Sequence, residues 1–86
     1  MAYKISYKKS ITKDLKKIDK KQCLKLLNKI ETDILKKPES GQELTGNFSG
    51  LYSFRVGDYR IIYSIISDNK VIILRIAHRK EVYKQE

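Results

Sequence analysis

The four arginines of this chain, Arg55, Arg60, Arg75 and Arg79, all lie in its C-terminal half, whereas twelve of its fifteen lysines precede residue 40. The two side chains differ in chemistry. Lysine is a mobile, strongly hydrated point charge; arginine is a flat fork that grips a phosphate through two parallel hydrogen bonds. Beside Arg79 stands the one histidine, His78, whose imidazole titrates near pH ~6.5 when unperturbed and suits general acid–base work. Tyr83 follows Arg79 by four residues, so on a helical turn the two share a face. A phenol among guanidinium groups has its ionised form favoured, and it can equally stack on a nucleobase. With Lys80 and Lys84 alongside, these residues describe a site for a polyanion, RNA above all, with groups able to move a proton. Plainer roles stand beside these: solvated edge arginines, a packed or surface His78, and a Tyr83 that seals the sheet edge.

The elements that must position these groups are legible from spacing. Tyr3, Ile5 and Tyr7 alternate with Lys4 and Ser6, the pattern of a half-buried strand. Ser10 offers an N-cap for a short helix carrying Ile11, Leu15 and Ile18. Asp19 reads as the N-cap of a second helix, with Gln22 completing a capping box and Ile18 stapling onto Cys23. Cys23, Leu26, Leu27, Ile30 and Ile34 form its apolar stripe, Lys36 and Lys37 suit its C-terminal end, and Pro38 stops it. Residues 38–50 hold three of the four glycines and the only proline and read as a loop with one short strand. A β-meander follows, with Gly57-Asp58 and Asp68-Asn69 as two-residue hairpin turns. The chain reads as a single α+β domain spanning 1-86, in the order β-α-α-(β)-β-β-β. After an N-terminal strand, a helical hairpin packs on one face of a small antiparallel sheet, and a short C-terminal helical turn ends the chain.

Strand parity then assigns faces. A two-residue turn at Gly57-Asp58 pairs Val56 with Tyr59 and Arg55 with Arg60. One face carries Tyr52, Phe54, Val56, Tyr59, Ile61, Tyr63 and Ile65, the floor for the helices. The other carries Leu51, Ser53, Arg55, Arg60, Ile62 and Ser64. The same rule at Asp68-Asn69 pairs Ile62 with Arg75 and Arg60 with Ala77, which sends all four arginines to the face away from the helices and His78 to the helix side. Like charges directly opposite one another destabilise a strand pair by a few tenths to about 1 kcal/mol. An anion bound between them would relieve that repulsion.

Composition narrows the class of partner. The net charge of +9, with 34% charged and 41% hydrophobic residues, describes a globular chain suited to nucleic acid, a ribosome, an acidic protein or an anionic membrane surface. Cys23 is alone, so no internal disulfide forms, and its place on an apolar stripe makes it a packing residue. No apolar run approaches the roughly 20 residues of a bilayer span, and the first residues lack a signal-peptide core. A cytoplasmic protein without membrane attachment is expected. Zinc-ligand spacing, a phosphate-cradling glycine loop and a Ser-His-Asp pattern are all missing, so neither a metal nor another cofactor is implied.

The run LTGNFSGLYSFRVGDYRIIYSI, followed by ILRIAHRKEVY, resembles the RelE/ParE superfamily of toxins from type II toxin–antitoxin systems. The Gly-x-Tyr-Arg-hydrophobic-hydrophobic-Tyr stretch and the closing His-Arg-x-x-x-Tyr resemble the RelE branch in particular, and the preceding β-α-α pattern extends the resemblance over nearly the whole chain. It implies a compact α+β, metal-free ribonuclease (an mRNA interferase) that cuts messenger RNA on the ribosome and inhibits translation. It also implies a RelB-like antitoxin that neutralises the toxin in a hetero-oligomer. By motif position, Arg60 would clamp the phosphate and Arg79 would stabilise developing charge or help protonate the leaving group. Tyr83 would orient or deprotonate the 2′-OH, or stack on the nucleotide. Arg55 matches a basic residue at the base of the same hairpin. The departure is at Leu51-Tyr52-Ser53, where relatives of this branch carry lysines. The base then falls to His78 or Tyr83, with Lys80 or Lys84 contributing from the tail, or cleavage is slow. Arg75, Lys80 and Lys84 complete the RNA-binding set with Arg55.

Two other functions fit the same residues. A ParE-like gyrase poison would act through a protein contact and need no RNA site. A basic binding module would grip RNA without cutting it and would show a steep salt dependence.

Overall fold

The computed structural model describes residues 4–46, 49–67 and 70–78. Strand β1 (Lys4–Tyr7) leads into helices α1 (Ile11–Lys16) and α2 (Lys20–Lys29), and α2 continues as a π-helical turn, Ile30–Ile34. A 3-10 turn at Pro38–Ser40 precedes β2 (Gln42–Glu43), β3 (Tyr52–Val56), β4 (Tyr59–Ser67) and β5 (Lys70–His78). The strands form one sheet in the order β1-β5-β4-β3-β2. This is the α+β arrangement expected from the spacing, including the short strand within residues 38–50. The sheet is antiparallel except at one edge, where β1 pairs parallel with β5 from Lys4↔Lys70 to Tyr7↔Ile73. The intervening helices provide the long connection that a parallel pair needs. The expected C-terminal helical turn lies outside the described residues. No helix of the described residues is long and apolar enough to cross a membrane.

Helix ends follow local chemistry with one correction. Asp19 caps α2, its carboxylate accepting from the Lys21 N–H at 3.2 Å. Ser10 does not cap α1: its backbone is already helical (φ −64°, ψ −14°) and its hydroxyl makes no capping bond. A capping side chain needs an extended backbone to reach forward. The Ile11 and Thr12 N–H groups donate instead to the carbonyls of Lys8 and Lys9. Ile11, Ile18, Leu26, Ile30 and Ile34 are buried against Val56, Ile61, Tyr63, Val71, Ile73 and Ile76 of the sheet. Cys23 packs partly against this core, its thiol 3.3 Å from the Leu15 carbonyl and 3.4 Å from that of Ile18. The expected regular helix up to Pro38 widens before it gets there, the Leu35 N–H reaching the Ile30 carbonyl at 3.0 Å. Tyr7, expected on the buried side of β1 with Ile5, is 40% exposed because it ends an edge strand.

Register decides which side chains share a face. Gly57 has φ 60° and Asp58 does not share that sign, the pattern of a type II′ hairpin turn. Val56 therefore pairs with Tyr59 and Arg55 with Arg60, as expected. Asp68 and Asn69 lie outside the described residues, but Ser67 pairs with Lys70 on either side of them. Ile62↔Arg75 and Arg60↔Ala77 also match expectation, although two shifts intervene. Tyr63 pairs with Ile73, leaving Leu74 as an extra residue on β5, and a compensating shift falls between Ile65 and Ser67. The bulge lets Ile73 and Ile76, three residues apart, both point into the core.

Tyr63 ties the sheet to the segment after α2. It is fully buried, stacks on Tyr52 with ring centroids 5.5 Å apart, and donates its hydroxyl proton to the Pro38 carbonyl at 2.6 Å. Gly41 passes against this hydroxyl so closely that an added Cβ would collide with the Tyr63 Oη. Burial pushes the Tyr63 phenol up to about 12, with a smaller lowering from its contact with the Gly41 backbone and smaller raising effects from Tyr52 and Glu39.

Tyr63→Phe should cost about 1–3 kcal/mol in a denaturant melt, because it strands the Pro38 carbonyl. The folded phenol titrates above its usual value of about 10, so its stabilising effect is complete below that pH and is lost as pH rises through about 12. Tyr63→Phe should abolish that part of the alkaline loss. Gly41→Ala should destabilise by about 1–3 kcal/mol through overpacking. A smaller penalty in the Tyr63→Phe background, measured by a double-mutant cycle, would identify the hydroxyl as the obstacle.

Candidate nucleic-acid interface

The hairpin β3–β4 builds the candidate site. Tyr52, Phe54, Val56, Tyr59, Ile61, Tyr63 and Ile65 all belong to the helix-side core or pack against it, so their neighbours along each strand point away. Arg55 and Arg60 stand directly opposite one another. Arg55 is exposed, with its Nε donating to the Gly57 carbonyl at 3.3 Å. Arg60 is half-buried and reaches diagonally over β3, its Nη1 donating to the Ser53 Oγ at 3.3 Å. Arg75 pairs with Ile62, which pairs in turn with Ser53. Arg55, Arg60 and Arg75 thus lie on one side of the sheet.

That face is partly covered. Ser53, Ile62 and Ala77 are 3%, 7% and 5% exposed, and Arg60 and Arg75 are half-buried. Long arginine stems cover small or apolar neighbours while keeping their charged heads accessible. The Arg60–Ser53 contact is such a case. Ser53 was not singled out in the sequence, yet it orients the Arg60 fork. The available signal was its place as the one small polar residue between Leu51 and Arg55 on that parity.

His78 is not brought to the Arg55–Arg60 pair. It pairs with Tyr59 and meets that ring edge-on, centroids 5.7 Å apart at 74°. Tyr59 packs against the helix-side core, so His78 occupies the helix side of the sheet, as parity indicated. It opens onto a pocket of about 280 Å³ whose walls include Asp14, Lys17, Tyr59 and Arg75. Asp14 spans this pocket to β5, where its Oδ2 accepts from the Ile76 N–H at 3.1 Å. Asp14 also escaped the sequence reading. Its signal was a carboxylate three residues after Ile11 and four before Ile18, on the buried stripe of a helix otherwise rich in lysine.

Arg79, Lys80, Tyr83 and Lys84 lie outside the described residues. The described part of the arginine face offers Ser53, Arg55, Arg60 and Arg75, groups that hold and polarise an anion. Guanidinium and hydroxyl groups serve here as hydrogen-bond donors, so proton transfer needs a group from elsewhere.

Comparison with known proteins gives this geometry a context. Residues 5–83 match the family of ParE toxins of the type II toxin–antitoxin system parDE. The chain is 28% identical over 87 residues to Toxin RelG of Mycobacterium tuberculosis, covering 99% of this chain and all of that one. It is 29% identical to Toxin RelE of the same organism, covering 95% of this chain and 87% of that one. Among solved structures, a chain of the toxin–antitoxin complex RelBE2 from Mycobacterium tuberculosis superposes with a TM-score of 0.85 at 27% identity, over 92% of this chain and 93% of that one. A chain of the RelB–RelE antitoxin–toxin complex from Methanococcus jannaschii has the same fold, with a TM-score of 0.66 at 23% identity over 92% and 95%. The match runs from β1 through the meander that carries the arginines, and the chain belongs to the ParE toxin family, within the RelE/ParE superfamily of type II toxin–antitoxin toxins.

Proposed function

We propose that this toxin is a metal-free, ribosome-dependent endoribonuclease that cuts messenger RNA in the cytoplasm and so arrests translation. The observation that carries the reading is the Arg55–Arg60 pair, directly opposed across β3 and β4. Such a pair costs stability in an empty sheet. It becomes useful when a phosphate lies between the forks.

In this reading the ribose 2′-oxygen attacks the adjacent phosphorus, and the bond to the 5′-oxygen breaks. The 2′-OH proton passes to a base and a proton is delivered to the departing 5′-oxygen, leaving a 2′,3′-cyclic phosphate and a 5′-OH. Arg60, oriented by Ser53, and Arg55 hold the phosphate and stabilise the charge that builds on its oxygens. Arg79 adds charge at the leaving group. Tyr83, with Lys80 and Lys84, supplies the proton chemistry, because His78 stands on the other side of the sheet with Tyr59. Arg75 extends the RNA track. The partner is a RelB-like antitoxin, the type of partner bound in the complexes this fold resembles.

A second reading has its own support, since the matching family is described by ParE toxins. A gyrase poison would give DNA breaks and an SOS-like response rather than translation arrest, and would not depend on Arg60.

The experiment is expression of wild-type and variant toxin, with growth followed and mRNA 5′ ends mapped. Arg60→Ala should lower cleavage by about 100- to 1,000-fold, the scale for removing one preorganised donor. Arg60→Lys should recover only part of it, because a point charge replaces a fork. DNA damage without mapped mRNA ends, or full toxicity from Arg60→Ala, would defeat the nuclease reading. Arg55→Ala should weaken cleavage while leaving the fold as stable or more stable by up to about 1 kcal/mol, since it removes a like-charge pair.

A further inference from the structure

Among the described residues, the last part of β5 pairs with β4 and with no second strand. β1 pairs with β5 only as far as Tyr7↔Ile73, and the Lys8 N–H donates to the Ile73 carbonyl as the last bond of that ladder. Immediately beyond comes the bulge at Leu74, and then Arg75 to Ala77, beside which no strand of the described residues lies on the β1 side. An edge amide there would otherwise face water or a foreign strand. Asp14 takes its place. The carboxylate, half-buried on α1, accepts the Ile76 N–H at 3.1 Å across 62 residues of sequence.

The position of this bond gives it a consequence for the site. The bulge decides that Arg75 points with Arg60 while Ile73 and Ile76 point inward. A bulge at an edge is a soft place, because one ladder bond is missing and the strand bends. Asp14 pins the second residue after the bulged Leu74, on the short stretch between Arg75 and the start of the tail. α1 is itself anchored, with Ile11 3% exposed in the core. The hydrogen bond therefore transmits the placement of the helical layer to the end of β5.

We propose that Asp14 is a positioning residue for the toxin's site. Its carboxylate oxygen takes the place of a strand partner at Ile76 and holds the stretch just after the bulge in the orientation that aims Arg75 at the bound phosphate. The proposal rests on the nuclease reading for the identity of the phosphate, but its test does not need that reading to be right.

Three substitutions separate the acceptor from the charge. Asp14→Asn keeps an oxygen in place and removes the charge. Asp14→Glu keeps the charge and displaces the oxygen by a methylene. Asp14→Ala removes both. Toxicity is read as growth arrest at matched protein level. Cleavage is read as the maximal rate and the mRNA concentration giving half of it. Exchange of the Ile76 amide is followed in each purified protein. Asp14→Asn should remain as toxic as wild type with a protected Ile76 amide. Asp14→Glu and Asp14→Ala should lose about 10- to 100-fold in the ratio of maximal rate to half-saturating concentration, the scale of a sub-ångström to ångström misplacement, with the half-saturating concentration raised because Arg75 lies on the RNA track. Ile34→Val, a core change of small cost outside both α1 and β5, should leave toxicity intact and so controls for stability alone. If Asp14→Asn is as inactive as Asp14→Ala, the charge and not the bond matters and the proposal is overturned. Full toxicity from a folded Asp14→Glu overturns it as well, and that pair decides the matter should Asp14→Ala fail to fold. A wild type that arrests growth without cutting mRNA would strike the nuclease reading and leave the Asp14 comparison standing on toxicity and amide exchange.

Discussion

One backbone angle governs the arrangement of this protein's charges. Gly57 at φ 60° closes a two-residue turn, and that turn makes Val56 face Tyr59 and Arg55 face Arg60. A slip of one residue would exchange the two faces of the hairpin, sending Arg60 into the core and Ile61 and Tyr63, both fully buried, into water. Each such side chain is worth about 1.5–3 kcal/mol when buried, against a few tenths to about 1 kcal/mol for the opposed guanidinium pair. Burial wins. The register that buries the apolar face forces the arginines together, and the repulsion between them is a consequence the fold tolerates.

The strand β5 carries a heavier load than its neighbours. It joins the parallel edge strand to the antiparallel meander, and its bulge at Leu74 reconciles the two. Before the bulge, Val71 and Ile73 fill the core; after it, Ile76 does, and Arg75 turns to the arginine side. Tyr63, opposite Ile73 at the shift, adds a buried hydrogen bond to Pro38 and a stack on Tyr52. The irregular part of the sheet is thus fastened from both flanks, by Tyr63 to the 3-10 turn and by Asp14 to α1.

The site was legible to different depths in the chain. Arg55, Arg60 and Arg75 could be placed on one face because alternation and turn length are local rules, and the observed pairs agree. His78 could be placed on the helix side by the same rule. Ser53 and Asp14 were passed over because their importance comes from what they touch. Ser53 has meaning only under the Arg60 fork, and Asp14 only beside an amide 62 residues away. Parity gives direction but not coverage: Ser53, Ile62 and Ala77 are buried on the arginine face. The unfulfilled Ser10 cap shows a residue type suited to a role whose backbone angles were taken by another turn.

What the amino-acid order determined alone was the alternation within each strand, the glycine turn between β3 and β4, the Asp19 cap and the apolar stripe of α2. Each depends on residues a few positions apart, whose geometry the covalent backbone restricts. Only the folded structure decided that β1 lies parallel to β5, that Leu74 is extruded, and that a carboxylate from α1 completes the edge where β1 ends. Those outcomes join segments distant in sequence, and they are selected by the packing of the whole core, which no local pattern encodes.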